Sequence, residues 1–192
     1  MPETTPRREA TRTRLIHAAI AEFGERGIDA TSVEHLCVRA GFTRGAFYSN
    51  FSSKDDVCIA ILELYGEQAM AGLQAIAVPD EGAGPDWAFR EALPSFFRAL
   101  GPTANFRRTM LEVRVRAQRS PELADRLARL EAETRPAIDA ALDDVSARTG
   151  IRFRLPTHTV VELCHAVFFH PSEAQDVDEA LLTSLLIALS DV

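Results

Sequence analysis

GIDATSVEHLCVRAGFTRGAFYSNFSSK, residues 27–54, reads as two short helices joined by a tight turn. Either Thr31 or Ser32 can cap a helix running to about Ala40, because a hydroxyl there accepts an N–H that the first helical turn leaves unpaired. Val33, Leu36 and Cys37 would then point inward. Gly41 stands where a helix-ending residue in the left-handed conformation is wanted, and Thr43 is placed to cap a third helix from Arg44 to Asn50. Two short helices connected through Gly41-Phe42 make a helix-turn-helix.

The third helix has two unlike faces. Phe47 and Phe51, four apart, anchor one of them, and Arg44, Gly45, Tyr48 and Ser49 occupy the other. Small residues near a helix N-terminus let the backbone sink into the major groove, an arginine there can grip a guanine edge, and hydroxyls and exposed N–H groups suit phosphate. The expected DNA contacts are therefore Thr43, Arg44, Gly45, Tyr48 and Ser49. Lys54, opening the next helix, and the capping pair Thr31 and Ser32 are expected to reach phosphate.

Working outward, Leu15, Ile16, Ala19, Ile20 and Phe23 form an apolar stripe on a helix from about Arg7 to Arg26, closed by Gly27. Downstream, helical periodicity dominates and alternating strand patterns are missing, which predicts an all-α protein. A long fourth helix runs from Lys54 to about Ala77 and ends in the loop Val78 to Pro85. Further helices are expected over 86–100, 104–119, 121–149 with a kink at Pro136, 156–170 and 176–190, nine in all.

Charge divides along the same line. Residues 1–54 hold eight Arg/Lys against six Asp/Glu, a balance of +2, whereas the remainder holds 13 against 22, a balance of −9. A basic N-terminal module facing phosphate and an acidic body kept clear of it would give this asymmetry. The proposed boundary makes 1–54 the DNA-binding domain and 55–192 a ligand-binding and dimerisation domain. Three widely spaced cysteines, Cys37, Cys58 and Cys164, form no CxxC pair, and the five histidines lack metal-ligand spacing, so packed thiols and no metal or cofactor are expected. The charged opening MPETTPRREATRTR is followed by no signal-type apolar core, and no run is long enough to span a bilayer, which predicts a cytoplasmic protein.

From Leu15 to Val57 the chain resembles the DNA-binding domain of TetR-family transcriptional regulators. The resemblance rests on Leu15/Ile16, Phe23, Gly27, Thr31 with Ser32-Val33, Ala40-Gly41, Gly45, Phe47-Tyr48, Phe51 and Lys54 in this order and spacing. It implies a homodimer that places two third helices in successive major grooves of a palindromic operator and lets go when a small molecule enters the C-terminal domain. It also implies Thr43, Tyr48 and Lys54 as phosphate contacts, with Arg44 and Gly45 near the bases.

The C-terminal part offers two further expectations. Trp87, Phe96 and Phe97, with Phe106, Met110 and Val113 and with Arg114, His165 and Phe169, can line a pocket for a small, largely hydrophobic effector, or else fill a dry core. Val160, Cys164, Val167 and Phe168, together with Leu182, Leu185, Leu186 and Leu189, carry more apolar surface than one-sided packing needs, which points to a four-helix dimer interface. Two rival classes remain open: an all-α enzyme, which lacks any nucleophile–base or metal signature, and a binding module without effector control.

Overall fold

The structure is a computed structural model and describes residues 6–76, 83–99, 103–169 and 179–191, with the side chains of 97–99 and 179–180 left aside. Pro6 opens α1 (Pro6–Arg26), a position where its missing N–H costs nothing. Leu15, Ile16, Ala18, Ala19 and Phe23 are buried along one face of this helix. Gly27, at φ 83°, ends it, and its N–H donates to the Phe23 carbonyl at 2.9 Å. Next come α2 (Val33–Ala40), α3 (Arg44–Tyr48) and α4 (Lys54–Gln74).

Beyond α4, the helical stretch 85–99 is made of α5 (Pro85–Trp87), a π-helical turn (Ala88–Ala92) and α6 (Leu93–Ala99). Pro94 explains the π turn. It has no N–H for the carbonyl four residues back, and the ladder slips so that the Leu93 N–H donates to Ala88, five residues back. Then follow α7 (Ala104–Ala117), α8 (Pro121–Thr149), β1 (Arg152–Phe153), α9 (Thr157–Phe168), α10 (Glu179–Ala188) and β2 (Ser190–Asp191). With 85–99 counted once, the described residues carry nine helices, and the fold is all-α as the periodicity predicts.

Two short strands join the helices, where the periodicity predicts none. They pair antiparallel, with Arg152 opposite Asp191 and Phe153 opposite Ser190, and a ladder of two residues is too short to leave an alternating pattern. Helix α8 runs unbroken through Pro136. The start of the last helix before Glu179, and much of the loop after α4, lie outside the described residues.

The chain forms two compact units: residues 1–64 with 104–127, and residues 65–103 with 128–192. Within the first, α7 packs on α1. The two helices come close where Gly24 lies against the backbone of Asn105, and the Thr109 hydroxyl donates to the Ile20 carbonyl at 2.8 Å. Phe106, Met110 and Val113 of α7 and Val57, Cys58, Ile61 and Leu62 of α4 are buried in it. In the second unit α10 packs on α9 and α6, and Phe89, Phe96, Val160, Cys164, Phe168, Leu182 and Leu186 are buried.

Candidate nucleic-acid interface

The geometry of the helix-turn-helix follows from its caps. Ser32 is the N-cap of α2, its hydroxyl accepting the His35 N–H at 3.2 Å. Gly41 ends the helix at φ 72°, ψ 35°, where its N–H donates to Val38 and that of Phe42 donates to Cys37. Thr43 then caps α3, accepting the Ala46 N–H at 3.3 Å. Phe47 and Phe51 are buried with ring centroids 5.8 Å apart, and this anchoring turns Thr43, Arg44, Gly45, Tyr48 and Ser49 outward. Tyr48 is 52% exposed and meets the edge of Phe47 at 5.3 Å.

Cations from neighbouring elements fasten the carbonyl ends of this unit. Arg14 donates to the Ala40 carbonyl at 2.8 Å and lies over the Phe42 ring, and Arg8 donates to the Ser49 carbonyl at 3.0 Å. Arg39 bridges Glu22 at 2.8 Å and Glu25 at 2.7 Å, so α2 is pinned to α1 by a bidentate carboxylate contact. Arg116 of α7 pairs with Asp29 at 2.7 Å and with Asp55, and Glu112 accepts the Ile28 N–H at 3.1 Å. These struts escaped the sequence reading, since their partners lie 14 to 87 positions apart with no local period to connect them.

Two residues expected at phosphate are placed otherwise. Thr31 is 1% exposed, and its hydroxyl donates to the Gly27 carbonyl at 2.8 Å. Turned inward as a strut, it leaves the cap to Ser32. Lys54 directs its ammonium back to the carbonyls of Ile28 at 2.6 Å and Thr31 at 2.9 Å, so two of its three N–H groups are committed to the loop before α2.

The candidate effector residues are not one group. Phe106, Met110, Val113 and Arg114 belong to the first unit, the first three as buried core. Trp87, Phe96, His165 and Phe169 belong to the second, and the side chain of Phe97 lies outside the described residues. In the second unit Phe169 gathers an aromatic cluster, with His165 at 4.8 Å, Phe168 at 4.9 Å and Tyr65 at 5.8 Å between ring centroids. Tyr65 was missed because α4 is apolar nearly all round there and its period points nowhere in particular. The buried Gln68 Oε1 and Asp139 Oδ1 have no hydrogen-bond partner among the described residues.

The expected dimer residues also separate. Val160, Cys164 and Phe168 on α9 and Leu182 and Leu186 on α10 are buried within the single chain, because these four-residue spacings put them on the inward stripes of the two packed helices. Much of their apolar surface is thus covered within the one chain. Val167, Leu185 and Leu189 are half-exposed, and beside them Leu163 and Leu181 are exposed, Leu181 by 54%. All three cysteines are buried free thiols; burial pushes Cys58 up to about 12 and Cys164 up to about 11.

These features define an all-α helix-turn-helix protein with a second helical unit. Residues 15–61 match the family model described as bacterial regulatory proteins, tetR family. The chain is 42% identical over 57 residues to the uncharacterised HTH-type transcriptional regulator YwcC of Bacillus subtilis (strain 168), a match covering 30% of this chain and 26% of that protein. It is 26% identical over 145 residues to the HTH-type transcriptional activator FasR of Mycolicibacterium smegmatis, covering 75% of this chain and 63% of the other. The chain thus spans about a quarter of one relative's length and under two thirds of the other's. Among solved structures, the SmeT–triclosan complex superposes with a TM-score of 0.63 at 26% identity, over 95% of this chain and 92% of that one. The match places residues 15–61 with the bacterial regulatory proteins of the tetR family and supports a TetR-family regulator. No helix among the described residues is long and apolar enough to cross a membrane.

Proposed function

We propose that this chain is a cytoplasmic, ligand-responsive repressor that binds a palindromic operator as a homodimer, with α3 in the major groove. The carrying observation is the face of α3: Thr43, Arg44, Gly45, Tyr48 and Ser49 stand exposed on a helix whose opposite side is locked by Phe47 and Phe51. Thr43, Ser49 and Tyr48 meet phosphate, and Arg44 and Gly45 lie against the bases. Ser32 contributes at the start of α2. Lys54 acts through the loop it holds and has one N–H left for phosphate.

Residues 1–54 read the DNA in this account, while 55–192 take the effector and the second subunit. Two subunits join through the outward faces of α9 and α10, where Leu163 with Val167 and Leu181 with Leu185 repeat at four-residue spacing. The effector is small and largely hydrophobic, in keeping with the aromatic cluster around Phe169. A similar fold holds triclosan in the SmeT complex. Release follows if the effector prefers the protein state that fits DNA less well, and a coupling of about 1–3 kcal/mol suffices. The chemistry is binding throughout, with no catalytic step, cofactor or metal.

The test is a fluorescence-anisotropy titration against the DNA upstream of the chain's own gene at several salt concentrations. Saturable binding that tightens steeply as salt falls and is lost in Tyr48→Ala supports the reading. Equal, shallow binding by both proteins contradicts it.

A further inference from the structure

Helices α2 and α3 carry two arginines, Arg39 and Arg44, and both lie in ion pairs. Arg39 is a fastening, held by Glu22 and Glu25 on α1. Arg44 is different, because it stands on the exposed face that would meet DNA. From the first position of α3 it reaches across the turn to Glu34 on α2, with Nη1 2.6 Å from Oε1 and both side chains more than half exposed. Its guanidinium also lies 6.0 Å from the centre of the Tyr48 ring.

Glu34 is a dependable anion at this place. A hydrogen bond from its own backbone N–H, then the charge of Arg44, holds its carboxyl below the usual carboxylate range, and it sits in the first turn of α2 where the helix dipole favours negative charge. Glu34 therefore stays ionised at neutral pH. An exposed pair of this kind is weak enough to be displaced, yet it cancels the charge that a passing phosphate would feel.

Arginine has five donors in a planar fork, and Glu34 engages Nη1. Nε and Nη2 form another edge of the fork, of the kind a bidentate contact to guanine O6 and N7 uses. A base contact can then be made with Glu34 still in place, whereas a contact with random-sequence phosphate depends on the net charge that Glu34 removes. We infer that Glu34 is a specificity-determining residue, which neutralises Arg44 against non-specific phosphate while steadying it for a base edge. The inference rests on the DNA-binding reading of α3 given above and adds the role of its acidic neighbour.

One liberated arginine adds about one phosphate contact and steepens the salt slope by about 0.9, which at 0.1 M salt amounts to roughly 3- to 8-fold in affinity for unrelated DNA. The experiment compares wild type, Glu34→Gln, Arg44→Ala and the double variant by anisotropy on two duplexes, the upstream DNA and a scrambled version, between 50 and 200 mM salt (an illustrative range from about 0.05 M upward). Circular dichroism melts confirm that each variant is folded. Glu34→Gln is expected to tighten binding to the scrambled duplex by that factor, to steepen its slope, and to narrow the ratio between the two duplexes, with no such gain in the Arg44→Ala background. An unchanged scrambled-duplex affinity and slope in Glu34→Gln, or a gain that persists without Arg44, overturns the inference while wild-type binding leaves the regulator reading standing. Wild type that binds neither duplex at the lowest salt overturns both.

Discussion

Replacing Lys54 with alanine separates a structural role from a nucleic-acid one. Its ammonium donates to two carbonyls at the loop before α2, Ile28 at 2.6 Å and Thr31 at 2.9 Å, in a half-buried setting. A hydrogen bond to a charged group contributes about 1.5–3 kcal/mol, and two sharing one donor add less than twice that. A loss of about 2–3 kcal/mol is expected, allowing for water reaching the exposed side of the pair. For a chain of this size each kcal/mol lowers the melting temperature by about 2–4 °C, so Lys54→Ala should melt roughly 4–12 °C below wild type. Thermal denaturation followed by circular dichroism at 222 nm (a helix signal at about this wavelength) measures it, and Lys54→Met keeps the apolar stem and should fall almost as far. An unchanged melting temperature combined with a salt slope shallower by about one would refute the reasoning and make Lys54 chiefly a phosphate ligand.

Gly24→Ala should destabilise the first unit by about 1–3 kcal/mol in urea titration, because a Cβ there would lie 2.5 Å from the Asn105 carbonyl oxygen, an overlap that outweighs the gain in helix propensity. Gly45→Ala is the complementary case: the new methyl would meet nothing closer than the Thr43 hydroxyl at 3.7 Å, so stability should hold while DNA affinity drops by about 1–3 kcal/mol, the scale of one mismatched base pair. The native thiols of Cys58 and Cys164 should resist a thiol reagent at neutral pH and react fully in denaturant. Since burial raises Cys58 to about 12 against about 8.5 in an unfolded chain, its contribution is intact below the unfolded value and lost as pH rises towards 12, and Cys58→Ser should flatten the alkaline fall in urea midpoint.

The stretch 27–54 was legible because its signals are local. Caps at Ser32 and Thr43, a left-handed Gly41 and the four-residue spacing of Phe47 and Phe51 each act within a turn or two, and together they fix which side of α3 faces outward. Helix count was legible for the same reason. What the sequence hid depends on partners far along the chain. Thr31 and Lys54 looked like polar groups awaiting phosphate, yet the fold folds one inward and ties the other to carbonyls more than 20 positions away. Val160, Cys164 and Phe168 share an apolar helix with Leu163 and Val167, and composition cannot tell the stripe that packs on α10 from the stripe left outside. Likewise Phe106, Met110 and Val113 read as pocket candidates beside Phe96, although they are core of a different unit.

In the proposed regulator, α3 reads sequence as one half of a symmetric pair. Selection from a pool of random duplexes with residues 1–192 is the decisive test. An inverted repeat whose half-sites lie about one helical turn apart, close to 34 Å, should be enriched by wild type and lost with Tyr48→Ala or Gly45→Ala. Recovery of unenriched DNA by wild type at every round, or of a single asymmetric half-site, would contradict it.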